Sequence, residues 1–191
     1  MRSIFVFLPL AALSACASSS TSSNATSTDV FTTDLVIPDV NSVPGPVADV
    51  VAAYLDDNAA FAPTQDLQMG EATYAGQFAF GFSGDNDSTV AGDMRLAMNF
   101  DEASLTGALE NIVVYDGNGV GEDTAGHVLA VTGDAAGNTI HADIKGHFHV
   151  GDDTWVVDAH THGALGGPNG EIAIGDIDGI VEYSPTESEG I

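Results

Sequence analysis

Along most of this chain apolar and polar positions alternate with a period of two, the pattern of strands with one dry face and one wet face. Tyr74, Gly76, Phe78, Phe80 and Phe82 share one face of a strand, and the turn residues Gly84-Asp85-Asn86-Asp87-Ser88 end it. Met94, Leu96, Met98 and Phe100 alternate with Arg95, Ala97 and Asn99, and after Asp101-Glu102 come Leu105, Gly107 and Leu109. The short loops between these runs predict three antiparallel strands in meander order. The middle is less regular, with Ile112 to Tyr115, a Gly/Asp/Asn-rich loop from Asp116 to Gly126, then His127 to Thr132. Asp116-Gly117-Asn118-Gly119 and Asp85-Asn86-Asp87 have calcium-loop composition without the full EF-hand pattern, and read as turns.

The most regular hairpin follows, Thr139 to Val150 and Thr154 to Leu165, joined through Gly151-Asp152-Asp153. With Asp152-Asp153 as the turn residues, Val150 pairs with Trp155, Phe148 with Val157 and Gly146 with Ala159. One face then carries Ile140, Ala142, Ile144, Gly146, Phe148, Val150, Trp155, Val157 and Ala159. The other carries His141, Asp143, Lys145, His147, His149, Val156, Asp158, His160 and His162. A last run, Glu171 to Tyr183, adds Ile172, Ile174, Ile177 and Ile180. Seven or eight strands with short loops predict an all-β fold, a small eight-stranded antiparallel barrel. Closing the sheet removes its exposed edges, and about eight strands leave an interior that side chains can fill.

Ahead of the barrel the period changes to about 3.6. Pro46 at a helix start, with Val47, Val50, Val51, Tyr54 and Leu55 at three-to-four spacing, predicts one short amphipathic helix packed on the barrel or plugging it. Met1-Arg2-Ser3 and the apolar run Ile4 to Leu13 read as a secretory signal, too short to span a bilayer. Leu13-Ser14-Ala15-Cys16 matches the lipobox of bacterial lipoproteins, and Cys16 is the single cysteine of the chain. Lipidation of Cys16 is therefore expected, with at least two acyl chains (palmitate among them), enough for stable anchoring. Ala17 rather than Asp after the cysteine implies the outer membrane, on the cell surface or its inner side. The Ser/Thr-rich run from Ala17 to Thr28 is expected to be a disordered tether. The resulting organisation is a signal peptide over 1–15, a lipidated tether and extended segment over 16–45, a helix and connection over 46–69, the barrel over 70–184 and a tail over 185–191.

Composition narrows the partners. Beyond the signal, Arg95 and Lys145 stand against 28 acidic residues. That excludes a nucleic-acid role, since backbone binding needs Lys and Arg, and disfavours lying on anionic lipid. Such acidity serves solubility in a salty habitat or draws cations. With one cysteine, no disulfide staples the domain.

Taken together, Tyr74-Ala75-Gly76-Gln77-Phe78, then Gly92 to Phe100, then Leu105-Thr106-Gly107-Ala108-Leu109 are similar to the opening strands of the transferrin-binding protein B type barrel. Ile144-Lys145-Gly146-His147-Phe148, followed by Gly163 to Ile172 with its Gly-Pro, resembles that family's closing pattern. The resemblance covers residues 70 to 183 as an ordered set. It implies an eight-stranded barrel on a Gram-negative surface lipoprotein, with relatives that bind transferrin, factor H or haem. Its members usually carry a handle domain before the barrel, where this chain has about forty residues, so no binding residue carries over.

The candidate chemistry lies on the polar face of the hairpin. His147 and His149 are two apart on one strand, with Asp158 and His160 opposite and diagonal, within the 4.5–8 Å reach of cross-strand neighbours. Imidazole and carboxylate in that span can hold zinc, and one histidine could serve haem iron as an axial ligand. The competing reading is a solvated outer face with ordinary polar alternation. No nucleophile elbow, zinc-protease motif or phosphate loop occurs, so the chain is read as non-enzymatic and requiring no cofactor. The expected function is ligand binding in iron, haem or metal acquisition, with an outer-membrane transporter or a host or environmental protein as partner. The alternative is a structural or surface-interaction lipoprotein with no small ligand.

Overall fold

The computed structural model describes residues 31–36, 41, 43–64, 68–82, 88–116, 118–124 and 127–184. The signal peptide, Cys16, the Ser/Thr-rich run, the Asp85-Asn86-Asp87 turn and the tail lie outside the described residues. The elements run β1 (Phe31–Val36), α1 (Gly45–Ala60), β2 (Glu71–Phe82), β3 (Thr89–Asn99), β4 (Ser104–Tyr115), β5 (Gly121–Asp123), β6 (Leu129–Ala136), β7 (Thr139–Val150), β8 (Asp153–Gly166) and β9 (Ile172–Ser184). Every pairing is antiparallel, in the order β3-β2-β1-β9-β8-β7-β6-β4, and a β3–β4 ladder joins the two ends. The result is the expected eight-stranded barrel, with β5 as a short flap on β4.

The barrel begins earlier than the sequence reading placed it. Phe31–Val36, which the sequence places in the extended segment of 16–45, is the strand that completes the ring. Residues 31–34 pair with β9, and Leu35 and Val36 pair with Phe82 and Gly81 of β2. Without it β2 and β9 would each expose an open edge.

The predicted apolar faces point inward. Tyr74, Phe78, Phe80, Phe82, Met94, Leu96, Met98, Leu105, Leu109, Ile140, Ile144, Phe148, Trp155 and Val157 are buried in one continuous core. An aromatic column runs through it, with Phe80 5.8 Å from Phe82, Phe82 4.9 Å from Trp155, and Trp155 stacked on Phe148 at 5.9 Å. The barrel is thus packed with side chains. Leu105 to Tyr115 forms one strand rather than two. A bulge at Asn111 and Ile112, opposite the position between Ala91 and Asp93, puts Asn111 at φ 52, returns Ile112 to the core, and lets Asn111 Nδ2 donate to Asp93 Oδ2 at 2.7 Å.

The helix lies on the outside of the barrel. Val47, Val50, Val51 and Tyr54 pack on Ala79, Ala91 and Ile174, which alternate with the inward residues Phe80, Val90 and Ala173 on their strands. Tyr54 donates its hydroxyl to Asp176 at 3.1 Å. The chain then crosses to the end of β8, where the Thr64 amide donates to Leu165 and the Gly167 amide to Ala62. No helix among the described residues is long and apolar enough to cross a membrane.

The long hairpin turns one residue earlier than expected. Val150 pairs with Asp153, so Gly151-Asp152 is the turn, and Gly151 takes φ +58. A type II′ turn wants glycine at that first central position, a conformation Asp152 would adopt only with strain. Phe148 therefore faces Trp155 and Gly146 faces Val157. A slip of two keeps every side chain on its predicted face while changing all its neighbours.

Candidate functional site

The corrected register lays out the outer wall of β6–β9 in rows. Asp134, His141, His162 and Asp176 form one row across the four strands. Thr132, Asp143, His160 and Asp178 form the next, and Ala130, Lys145, Asp158 and Ile180 the third. Period two on each strand puts these positions outside because the alternate positions fill the core. All six histidines of the chain belong to this wall: five on β7 and β8, and His127 just before β6, in ring contact with His147 and His149.

The four residues singled out from sequence separate into three groups. His147 and His149 keep company with His127, at ring separations of 5.0 to 6.0 Å, and His149 Nδ1 lies 3.0 Å from the Thr154 hydroxyl. Asp158 pairs with Lys145 at 3.3 Å, both side chains more than half exposed, a contact of little energetic weight. His160 Nδ1 lies 2.7 Å from Asp143 Oδ1. The two-residue register shift is the cause: it sets Val156 in place of Asp158 opposite His147 and Thr154 in place of Val156 opposite His149, which carries His160 away from its diagonal position beside His147.

The shift creates a different pair. His141 and His162 now face each other, ten residues before Gly151 and ten after Asp152. Their Nδ1 atoms are 2.8 Å apart, with ring centroids at 5.0 Å and planes inclined by 74°. His162 Nε2 lies 3.9 Å from Asp178 Oδ1. Asp134, His141, Asp143, His160 and His162 line a shallow depression of about 240 Å³. Among the described residues no three His, Cys, Asp or Glu side chains converge so as to hold a metal ion. The sequence reading placed His141 and His162 on the right face but gave them no partner. The signal that finds them is the glycine preference of the turn, which fixes the register.

Elsewhere a depression of about 810 Å³ lies on β2–β4, among Thr73, Ala75, Ala97, Thr106 and Ala108, with Arg95 held by Glu110 at 3.3 Å. The Asp116 carboxylate accepts the Val120 main-chain amide at 2.8 Å, the Asn118 side-chain amide at 3.3 Å and the Asn118 main-chain amide at 3.0 Å, which hold its pKa below the usual carboxylate range. That is the chemistry of a closed turn, as expected for this loop. Burial raises the pKa of Tyr54, with Asp176 adding to the effect, and burial with help from Glu171 raises that of Tyr74, whose hydroxyl donates to the Gly170 carbonyl at 2.7 Å. No family model, curated protein or solved structure matches the chain.

Proposed function

We propose that this chain is a non-enzymatic outer-membrane lipoprotein, anchored through lipid on Cys16, whose transferrin-binding-protein-like barrel binds a metal or haem ligand on its outer wall. The observation that carries the reading is the gathering of all six histidines on the wall of β6–β8, beside the aspartates of the same rows. Imidazole is the commonest protein ligand for transition metals, and a core packed with aromatic side chains directs ligand binding to the outside. Formal charge of −25 raises the local concentration of cations around such a wall.

A second reading is a structural or surface-interaction lipoprotein. The exposed Lys145–Asp158 and His160–Asp143 pairs favour it, being ordinary contacts of a solvated face.

The test is zinc, copper and haem content of the protein purified from membranes in detergent, with and without added ions and haemin, beside a variant carrying alanine at all six histidines. Stoichiometric loading lost in the variant supports binding at the wall. No loading, or equal loading in the variant, returns the histidines to plain surface and leaves the second reading. Cys16→Ala tests the anchor in the same preparation: the reading expects the protein to leave the membrane fraction, and retention there would contradict it.

A further inference from the structure

Two imidazole nitrogens 2.8 Å apart, as in His141 and His162, share one proton, one ring donating an N–H to the lone pair of the other. Lone pair against lone pair repels, and so does N–H against N–H. A proton on one ring meets the need, and the surroundings indicate which. His162 Nε2 faces Asp178 Oδ1 at 3.9 Å, which favours the proton on Nε2 and leaves Nδ1 as an acceptor. His141 then donates from its own Nδ1. For His162 this is also the disposition of a metal-ligating histidine: one nitrogen turned to a carboxylate, the other with its lone pair free.

We propose that His141 and His162 form a two-histidine site for a divalent transition-metal cation of the zinc, copper or nickel class, held between their Nδ1 atoms on the outer wall of the barrel. The inference rests on the metal reading of that wall and names the residues that carry it. Zinc–nitrogen bonds of about 2.0–2.1 Å in tetrahedral geometry put two ligating nitrogens about 3.3 Å apart. The rings therefore open by about half an ångström, a small swing for side chains as exposed as His162, at 61 %. On binding, the Nδ1 proton of His141 passes through solvent to its Nε2, so a neutral pair takes up the ion with no net release of protons.

The remaining coordination positions face the depression of about 240 Å³ that the two histidines share with Asp134, the neighbour of His141 in register. Water completes the shell, since no third His, Cys, Asp or Glu among the described residues converges on the pair. Structural zinc sites are closed by four protein ligands, whereas open positions leave an ion exchangeable. The site thus suits capture and release of a cation rather than the stapling of a fold. Asp178, at 3.9 Å beyond hydrogen-bond reach of His162 Nε2, acts as a positioning residue through its charge alone, which biases His162 toward the ligating tautomer.

Isothermal titration calorimetry of the full protein in detergent, with zinc alone and with copper alone, tests this. One equivalent is expected to bind, and His141→Ala or His162→Ala to weaken binding at least tenfold, while Val156→Ala, an exposed position on the same wall, leaves it unchanged. Asp178→Asn is expected to weaken it only a few-fold, as loss of an exposed charge beyond hydrogen-bond distance does, and Asp178→Glu to restore most of it. All variants lie on the exposed wall, and unchanged melting curves separate loss of ligand from loss of fold. Undiminished binding in His141→Ala and His162→Ala would overturn the site and leave the metal reading standing. No binding of either ion to the wild type would overturn both.

Discussion

Tyr54 on the helix and Asp176 on β9 meet at 3.1 Å across 122 residues of chain, and Asp176 is the register partner of His162. One end of the histidine row is thus tied to the latch that holds α1 on the barrel. Tyr54 is 4 % exposed, so its hydroxyl has little water to fall back on. Tyr54→Phe keeps the ring packing and removes the bond to the carboxylate. The expected loss is about 1–2 kcal/mol in urea denaturation. An unchanged midpoint would contradict the latch.

The same hydroxyl gives a signature at alkaline pH. Burial first, and Asp176 second, raise the Tyr54 pKa from its ordinary 10.0, and burial with Glu171 raises that of Tyr74. A raised folded-state value means the folded chain holds the proton more tightly. The associated stability is complete below about pH 10 and is lost as the pH rises towards the folded-state values. Denaturation midpoints taken from pH 8 to 11 are expected to fall above pH 10, less steeply in Tyr54→Phe. Equal slopes in the two proteins would contradict the assignment.

Phe148 is wholly buried and stacks on Trp155, which in turn touches Phe82 on the strand that meets β1 at the seam. Phe148→Ala leaves a cavity in the middle of this aromatic column. A loss of about 3–5 kcal/mol is expected, measured by chemical denaturation. A loss below 1 kcal/mol would mean the interior is looser than described.

Gly179 has φ +152, and a Cβ there would sit 2.4 Å from the Ala159 Cα on the neighbouring strand. Gly179→Ala is expected to cost about 2–4 kcal/mol, combining backbone strain with overpacking. Gly45, with nothing within 4 Å of a built Cβ, is the control. Gly45→Ala is expected to change stability by no more than about 0.5 kcal/mol. Equal effects at the two positions would contradict the close approach of β8 and β9.

The faces of the strands were legible because period two is local: Tyr74, Phe78, Phe80 and Phe82 declare their side without reference to any partner. Neighbour relations were not, because they depend on turns. Choosing Asp152-Asp153 over Gly151-Asp152 kept His147 and His160 on the correct wall and gave them the wrong company. Strand β1 escaped notice for a related reason. Phe31–Val36 has no strict alternation, and its partners lie on β2 and β9, so its place comes from closing the ring rather than from its own pattern. The apolar stripe of Val47, Val50, Val51 and Tyr54 announced a helix but not the surface it covers, which Ala79, Ala91 and Ile174 supply from three different strands.

The most direct test of the binding account is X-ray absorption at the zinc edge of the zinc-loaded protein. The account predicts two imidazole nitrogens at about 2.0–2.1 Å, with oxygen ligands completing the shell, and loss of the imidazole signal in His141→Ala/His162→Ala. A shell with no imidazole, or one with the same imidazole signal in that variant, would contradict it.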